Sequence, residues 1–106
     1  MSFKVLLTRE AQQDIDRLHD FVIERELERD DGDLELAGEA IAAIAAGLKA
    51  LERFPFTCRK AALSPFLREM VIACGHTGYV ALFEIVDEAT VVVAAVRHQR
   101  EDDYRA

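Results

Sequence analysis

Gly78-Tyr79-Val80-Ala81-Leu82-Phe83-Glu84-Ile85-Val86, then Asp87-Glu88-Ala89, then Thr90-Val91-Val92-Val93-Ala94-Ala95-Val96 reads as a β-hairpin. Two β-prone runs, over 79–86 and 90–97, flank a short polar turn. In the first, Tyr79, Ala81, Phe83 and Ile85 share a face by strand alternation. In the second, the same rule puts Val91, Val93 and Ala95 on one face and Val92, Ala94 and Val96 on the other. A strand apolar on both faces is covered on both, so the second run is expected at the centre of a sheet.

Before the hairpin, residues 67–73 read as a further strand and residues 74–77 as a turn. Residues 3–7 form a short opening strand. Thr8 caps a helix running to about residue 28, on which Ala11, Ile15, Leu18 and Val22 make one apolar stripe. Asp30-Asp31-Gly32-Asp33 breaks it, with Asp33 as the next N-cap candidate. Ala37, Ile41, Ile44, Leu48 and Leu51 then mark a second helix that ends near Phe54, because Pro55 disfavours helix before it. Its small-residue centre, Ala40 to Gly47, lets another element pack close. Residues 55–65 are expected as a loop. The order gives an α+β domain spanning residues 1–106: an N-terminal strand and an αα-hairpin packed on a mainly antiparallel sheet of about four strands.

The net charge of −7 is unevenly placed. Residues 10–35 hold eleven acids and three bases, whereas residues 36–106 hold nine acids and eight bases. A nearly neutral remainder offers little of the phosphate attraction that drives nucleic-acid binding. The acidic helix face reads as solvated or as a docking surface. No signal peptide or membrane-spanning run is present, so the expected compartment is the cytoplasm, with Cys58 and Cys74 as reduced thiols. Neither cysteine has an evident base partner, and His19, His76 and His98 stand at no zinc-type spacing, so no metal or cofactor is expected.

The charged tail after the hairpin, Arg97-His98-Gln99-Arg100-Glu101 and on to Tyr104, is not needed for folding. Arginines can clamp an anion bidentately, His98 can move a proton near neutral pH, and Tyr104 can anchor a partner. Arg59, Lys60 and Arg68 add positive charge beside it if the loop folds near that end of the sheet.

Three segments together resemble the ParE/RelE superfamily of type II toxin–antitoxin toxins, also called plasmid-stabilisation proteins. They are Val5-Leu6-Leu7-Thr8-Arg9-Glu10-Ala11-Gln12-Gln13-Asp14-Ile15, Leu67-Arg68-Glu69, and Gly78-Tyr79-Val80-Ala81-Leu82-Phe83 with Ala95-Val96-Arg97-His98-Gln99-Arg100-Glu101. The resemblance implies the compact toxin fold of that family and a cognate ParD-like antitoxin. RelE-like members are ribosome-dependent mRNA endonucleases, and ParE-like members poison DNA gyrase without being nucleases. RelE-like nucleases commonly carry a catalytic arginine after the Gly-Tyr pair, where this chain has Val80. The resemblance therefore implies a ParE-like gyrase poison, not an enzyme, without sequence-specific nucleic-acid binding. Its implied target contacts are Arg97, His98, Arg100, Glu101 and Tyr104. The alternative is an mRNA endonuclease using His98, Arg97, Arg100 and Tyr104, and a second alternative is a non-toxic antitoxin-binding remnant. The helical residues Ile15, Leu18, Val22, Ile41, Ile44 and Leu48 are expected to meet the antitoxin.

Overall fold

Thr8 shows how the chain builds its first layer. Its hydroxyl accepts the Ala11 N–H at 3.0 Å, which satisfies one orphan amide of a helix start. The computed structural model describes residues 2–62 and 64–99. In it, β1 (Lys4–Leu7) leads into α1 (Arg9–Leu27) and α2 (Glu35–Ala50). A 3-10 turn at Pro55–Thr57 follows, then β2 (Arg59–Lys60), β3 (Arg68–Cys74), β4 (Thr77–Asp87) and β5 (Thr90–His98). The strands form one mixed sheet in the order β1-β5-β4-β3-β2. β1 runs parallel to β5, and every other pairing is antiparallel.

The expected α+β class and the expected grouping of helices before a meander both hold. The sheet has five strands among the described residues rather than about four. The fifth, β2, lies in the stretch expected as loop. It is two residues long and pairs Arg59 with Glu69 and Lys60 with Arg68. A pairing that short leaves no alternation to read.

Both helices lie on one sheet face. Leu18, Val22, Ile44 and Leu48 pack with Tyr79, Ala81, Phe83, Val91, Val93 and Val96 in the main core. Phe83 is the largest fully buried side chain. A smaller cluster of Ala61, Val80, Leu82 and Ala95 occupies the other face, so β4 is covered on both sides. Gly47 explains how α2 approaches β3: a Cβ there would stand 2.8 Å from Ile72 Cγ1 and 3.2 Å from Met70 Cε. The loop between the helices is built on Glu26, whose side chain is 1% exposed. Its Oε1 accepts the Asp33 N–H at 3.0 Å, while Arg25 Nε donates to Oε2 at 2.9 Å. These bonds, the Asp33 amide first, hold the Glu26 carboxyl below its ordinary range. Asp33 itself accepts the Glu35 N–H at 2.9 Å, close to the expected capping role.

The facing of β5 differs from simple alternation. Leu82 pairs with Ala95 but Phe83 pairs with Val93, so Ala94 is an extra residue, a β-bulge. Val91, Val93 and Val96 therefore share the helix side, and Ala95 joins the opposite cluster. The cause lies in α1. β1 stops at Leu7, and beyond Val93 the start of α1 takes over the edge of β5. Thr8 N–H donates to Val93 O at 3.0 Å, and the Thr8 hydroxyl donates to Ala94 O at 3.1 Å. Nearly two turns on, the Asp14 carboxylate accepts the Val96 N–H at 3.0 Å.

Candidate functional site

The open end of the β4–β5 hairpin carries the described part of the charged tail. Tyr79 pairs with His98 and Val80 with Arg97 across the two strands. Side chains alternate along a strand, so the two pairs stand on opposite faces of the sheet. Tyr79 belongs to the helix-side core, and the His98 ring meets it edge-on at 5.7 Å and 87°. His98 Nε2 also shares a hydrogen bond with the Thr77 hydroxyl. Burial pushes the Tyr79 phenol above its ordinary range. Arg97 stands on the helix-free face opposite Val80, which is buried with Leu82 and Ala95. The Arg97 Nε is buried and has no hydrogen-bond partner among the described residues.

The structure thus separates the neighbours Arg97 and His98 by the thickness of the sheet. Arg100, Glu101 and Tyr104 lie outside the described residues. The Gly78-Tyr79 pair has a packing reason. A Cβ on Gly78 would stand 2.6 Å from Gln99 Oε1 and 3.0 Å from Ile72 O, and the Gln99 N–H donates to Gly78 O at 2.8 Å. A larger residue would have to turn the Gln99 side chain aside and would crowd the Ile72 carbonyl of β3.

Arg59, Lys60 and Arg68 do not join this end. β4 and β3 lie between β5 and β2, which puts β2 about 14 Å from β5 at ordinary strand spacing. Arg68 is also in register with Phe83, three residues along β4 from Val80. Arg59 is paired with Glu69, and Arg68 donates to Cys58 O at 2.7 Å. Burial raises the Cys58 thiol, which does not suit it to act as a nucleophile.

The residues expected to meet the antitoxin mostly face inward. Leu18, Val22, Ile44 and Leu48 are buried in the chain's own core, and Ile15 and Ile41 are half-buried. The sheet consumes the stripe that periodicity reveals. The apolar groups the helical hairpin offers outward are Phe21, Leu27 and Leu34, all exposed. Phe21 lies in a shallow groove of about 500 Å³ with Asp16, Asp20 and Glu24. A second cleft, of about 340 Å³, opens between the helices and the β3–β4 turn, lined by Arg25, Arg29, His76, Thr77 and Tyr79. The two arginines, one in the last turn of α1 and one just beyond it, were hidden in the sequence by the acids around them.

A family model for the ParE toxin of the type II toxin–antitoxin system parDE matches residues 5–103. The chain belongs to the ParE toxin family. Among solved structures, this ParE-family chain is similar to one described as a chromosomal ParDE toxin–antitoxin system from P. aeruginosa. The TM-score is 0.68 at 17% sequence identity, over 92% of this chain and 96% of that one. That likeness is one of fold. No curated protein matches the chain by sequence. No helix among the described residues of this ParE-family protein is long and apolar enough to cross a membrane.

Proposed function

We propose that this ParE-family toxin acts in the cytoplasm by poisoning DNA gyrase, and that it does not cleave mRNA. The observation that carries this reading is the placement of Arg97 and His98 on opposite faces of the sheet. General acid–base cleavage of a phosphodiester needs the proton-transfer group and the charge-stabilising group within reach of one phosphate. His98 is engaged with Thr77 and Tyr79 on one side, and Arg97 is paired with apolar Val80 on the other. Val80 supplies no cation where the nucleases commonly carry one. Arg97 is half-exposed on that face, and an arginine there can donate to a carboxylate or carbonyl of a target protein instead.

The antitoxin, in this reading, lays a basic segment along the acidic outer face of α1, with Phe21, Leu27 and Leu34 as apolar anchors. The charges raise the association rate and the specificity, and the anchors hold the complex. The test is induction in cells, followed by inspection of DNA and mRNA. Gyrase-linked DNA breaks with intact mRNA are expected. Codon-linked mRNA cuts would sink the proposal. Unimpaired growth with antitoxin binding retained would identify a non-toxic remnant.

A further inference from the structure

Residues 53–68 carry Arg53, Arg59, Lys60 and Arg68 and no acid, in a chain whose net charge is −7. The same stretch holds Phe54, Phe56 and Phe66, which are 59%, 62% and 74% exposed. None of the three is needed for the core, and a cluster of exposed aromatic rings on a small domain marks a contact surface. Phe56 is held in place: Phe3 meets it edge-on at 5.9 Å, and the Arg68 guanidinium stands 5.6 Å from its ring centre. Arg68 is in turn fixed by its bond to Cys58 O. Phe56, Pro65 and Phe66 line an open cleft of about 260 Å³ together with Lys60, Arg68 and Glu84. Pre-positioned aromatic rings ringed by cationic side chains are the usual anatomy of an energetic centre in a protein interface.

We propose that this patch is a second antitoxin contact, which takes an acidic stretch of the antitoxin carrying aliphatic or aromatic anchors. The proposal rests on the antitoxin reading given above and adds a surface to it. The antitoxin fits better than the transient target because exposed rings invite self-association, and only the partner present throughout the toxin's silent life covers them. Charge sets the chemistry of the segment. The outer face of α1 calls for a basic stretch, and this patch, at the far edge of the sheet, calls for an acidic one. Aromatic rings with basic neighbours also suit single-stranded nucleic acid. A polyanionic strand would meet only Lys60 and Arg68 against Glu84 in the cleft, fewer cations than a run of phosphates uses, whereas a short acidic segment needs only one or two such partners.

The test uses the whole chain and the full-length antitoxin encoded in the same operon. Backbone hydrogen exchange of the unaltered toxin, with and without antitoxin, should show protection in residues 53–62 as well as in α1. Phe66→Ser and Lys60→Glu, both at exposed positions, should each raise the Kd at least tenfold by titration calorimetry, and Lys60→Glu should flatten its salt dependence. Protection confined to α1, with Phe21→Ser weakening binding and the two patch variants binding normally, overturns the second contact and leaves the first intact. Micromolar binding of a 12-nucleotide dT or rU strand that Phe66→Ser abolishes, with antitoxin affinity unchanged, assigns the patch to nucleic acid and overturns the proposal. An unaltered chain that does not bind the antitoxin at all removes both readings.

Discussion

Replacing Asp14 by alanine tests how the end of β5 that carries Arg97 and His98 is held. The Asp14 carboxylate accepts the Val96 N–H at 3.0 Å, and Val96 is fully buried. The aspartate side chain is only 16% exposed, so water does not readily take its place. A hydrogen bond to a charged group contributes about 1.5–3 kcal/mol, and a buried amide left unpaired costs about 1–3 kcal/mol. The Arg17 contact at 3.5 Å adds little, because the arginine side chain is 53% exposed. Asp14→Ala should therefore destabilise the fold by about 2 kcal/mol, or lower Tm by about 8–16 °C for a domain of this size. Asp14→Asn keeps an acceptor and loses only the charge, so it should cost about 1 kcal/mol or less. Urea unfolding with an unchanged slope gives the free energies, and amide exchange at Val96 gives the site. Faster exchange at Val96 in the alanine variant is expected. If both variants unfold within about 0.5 kcal/mol of the parent and the Val96 amide stays protected, the clamp does not exist.

Three further outcomes follow from the structure. Gly32→Ala places a Cβ 1.8 Å from the backbone oxygen of Glu26, so the end of α1 must move, and urea unfolding should show a loss of about 3 kcal/mol. Glu26 has a folded pKa below its ordinary value of 4.5, so its contribution is complete above that pH and is lost as pH falls through the folded value. The stability gap between the parent and Glu26→Gln should therefore be open at pH 7 and narrow by pH 3 in denaturant titrations. Phe83→Ala empties the centre of the main core and should cost about 4 kcal/mol by thermal unfolding.

Local chemistry made much of this fold legible in the sequence. The stripe Ala11-Ile15-Leu18-Val22 and the Thr8 cap were enough to place α1, because both are read within one helix. The hairpin was legible for the same reason. The bulge at Ala94 was not, since it depends on Thr8 and Asp14, more than 80 residues away in the chain. β2 was illegible because two residues held by backbone bonds leave no pattern. At the candidate site, adjacency in sequence suggested that Arg97 and His98 act together, yet adjacency in a strand is what sets them on opposite faces. The helical stripes misled in a similar way: periodicity shows that a residue is buried, not which surface buries it. Leu18 and Ile44 meet this chain's own sheet, and the off-stripe Phe21 and Leu27 remain for a partner.

The parallel pairing of β1 with β5 sets a clock on the toxin's birth. Leu7 finds its neighbour only when Val93 has been made, 86 residues later. At roughly 5–20 residues per second, a ribosome takes about 4–17 s to deliver it. Until then β1 has no strand beside it, and the bulge that orients Val96 and Arg97 cannot form. A chain that stops before β5 has two helices and an unfinished meander, with Phe83 and its neighbours uncovered, and is a ready substrate for proteolysis. Closure of the sheet thus waits until β5 is translated.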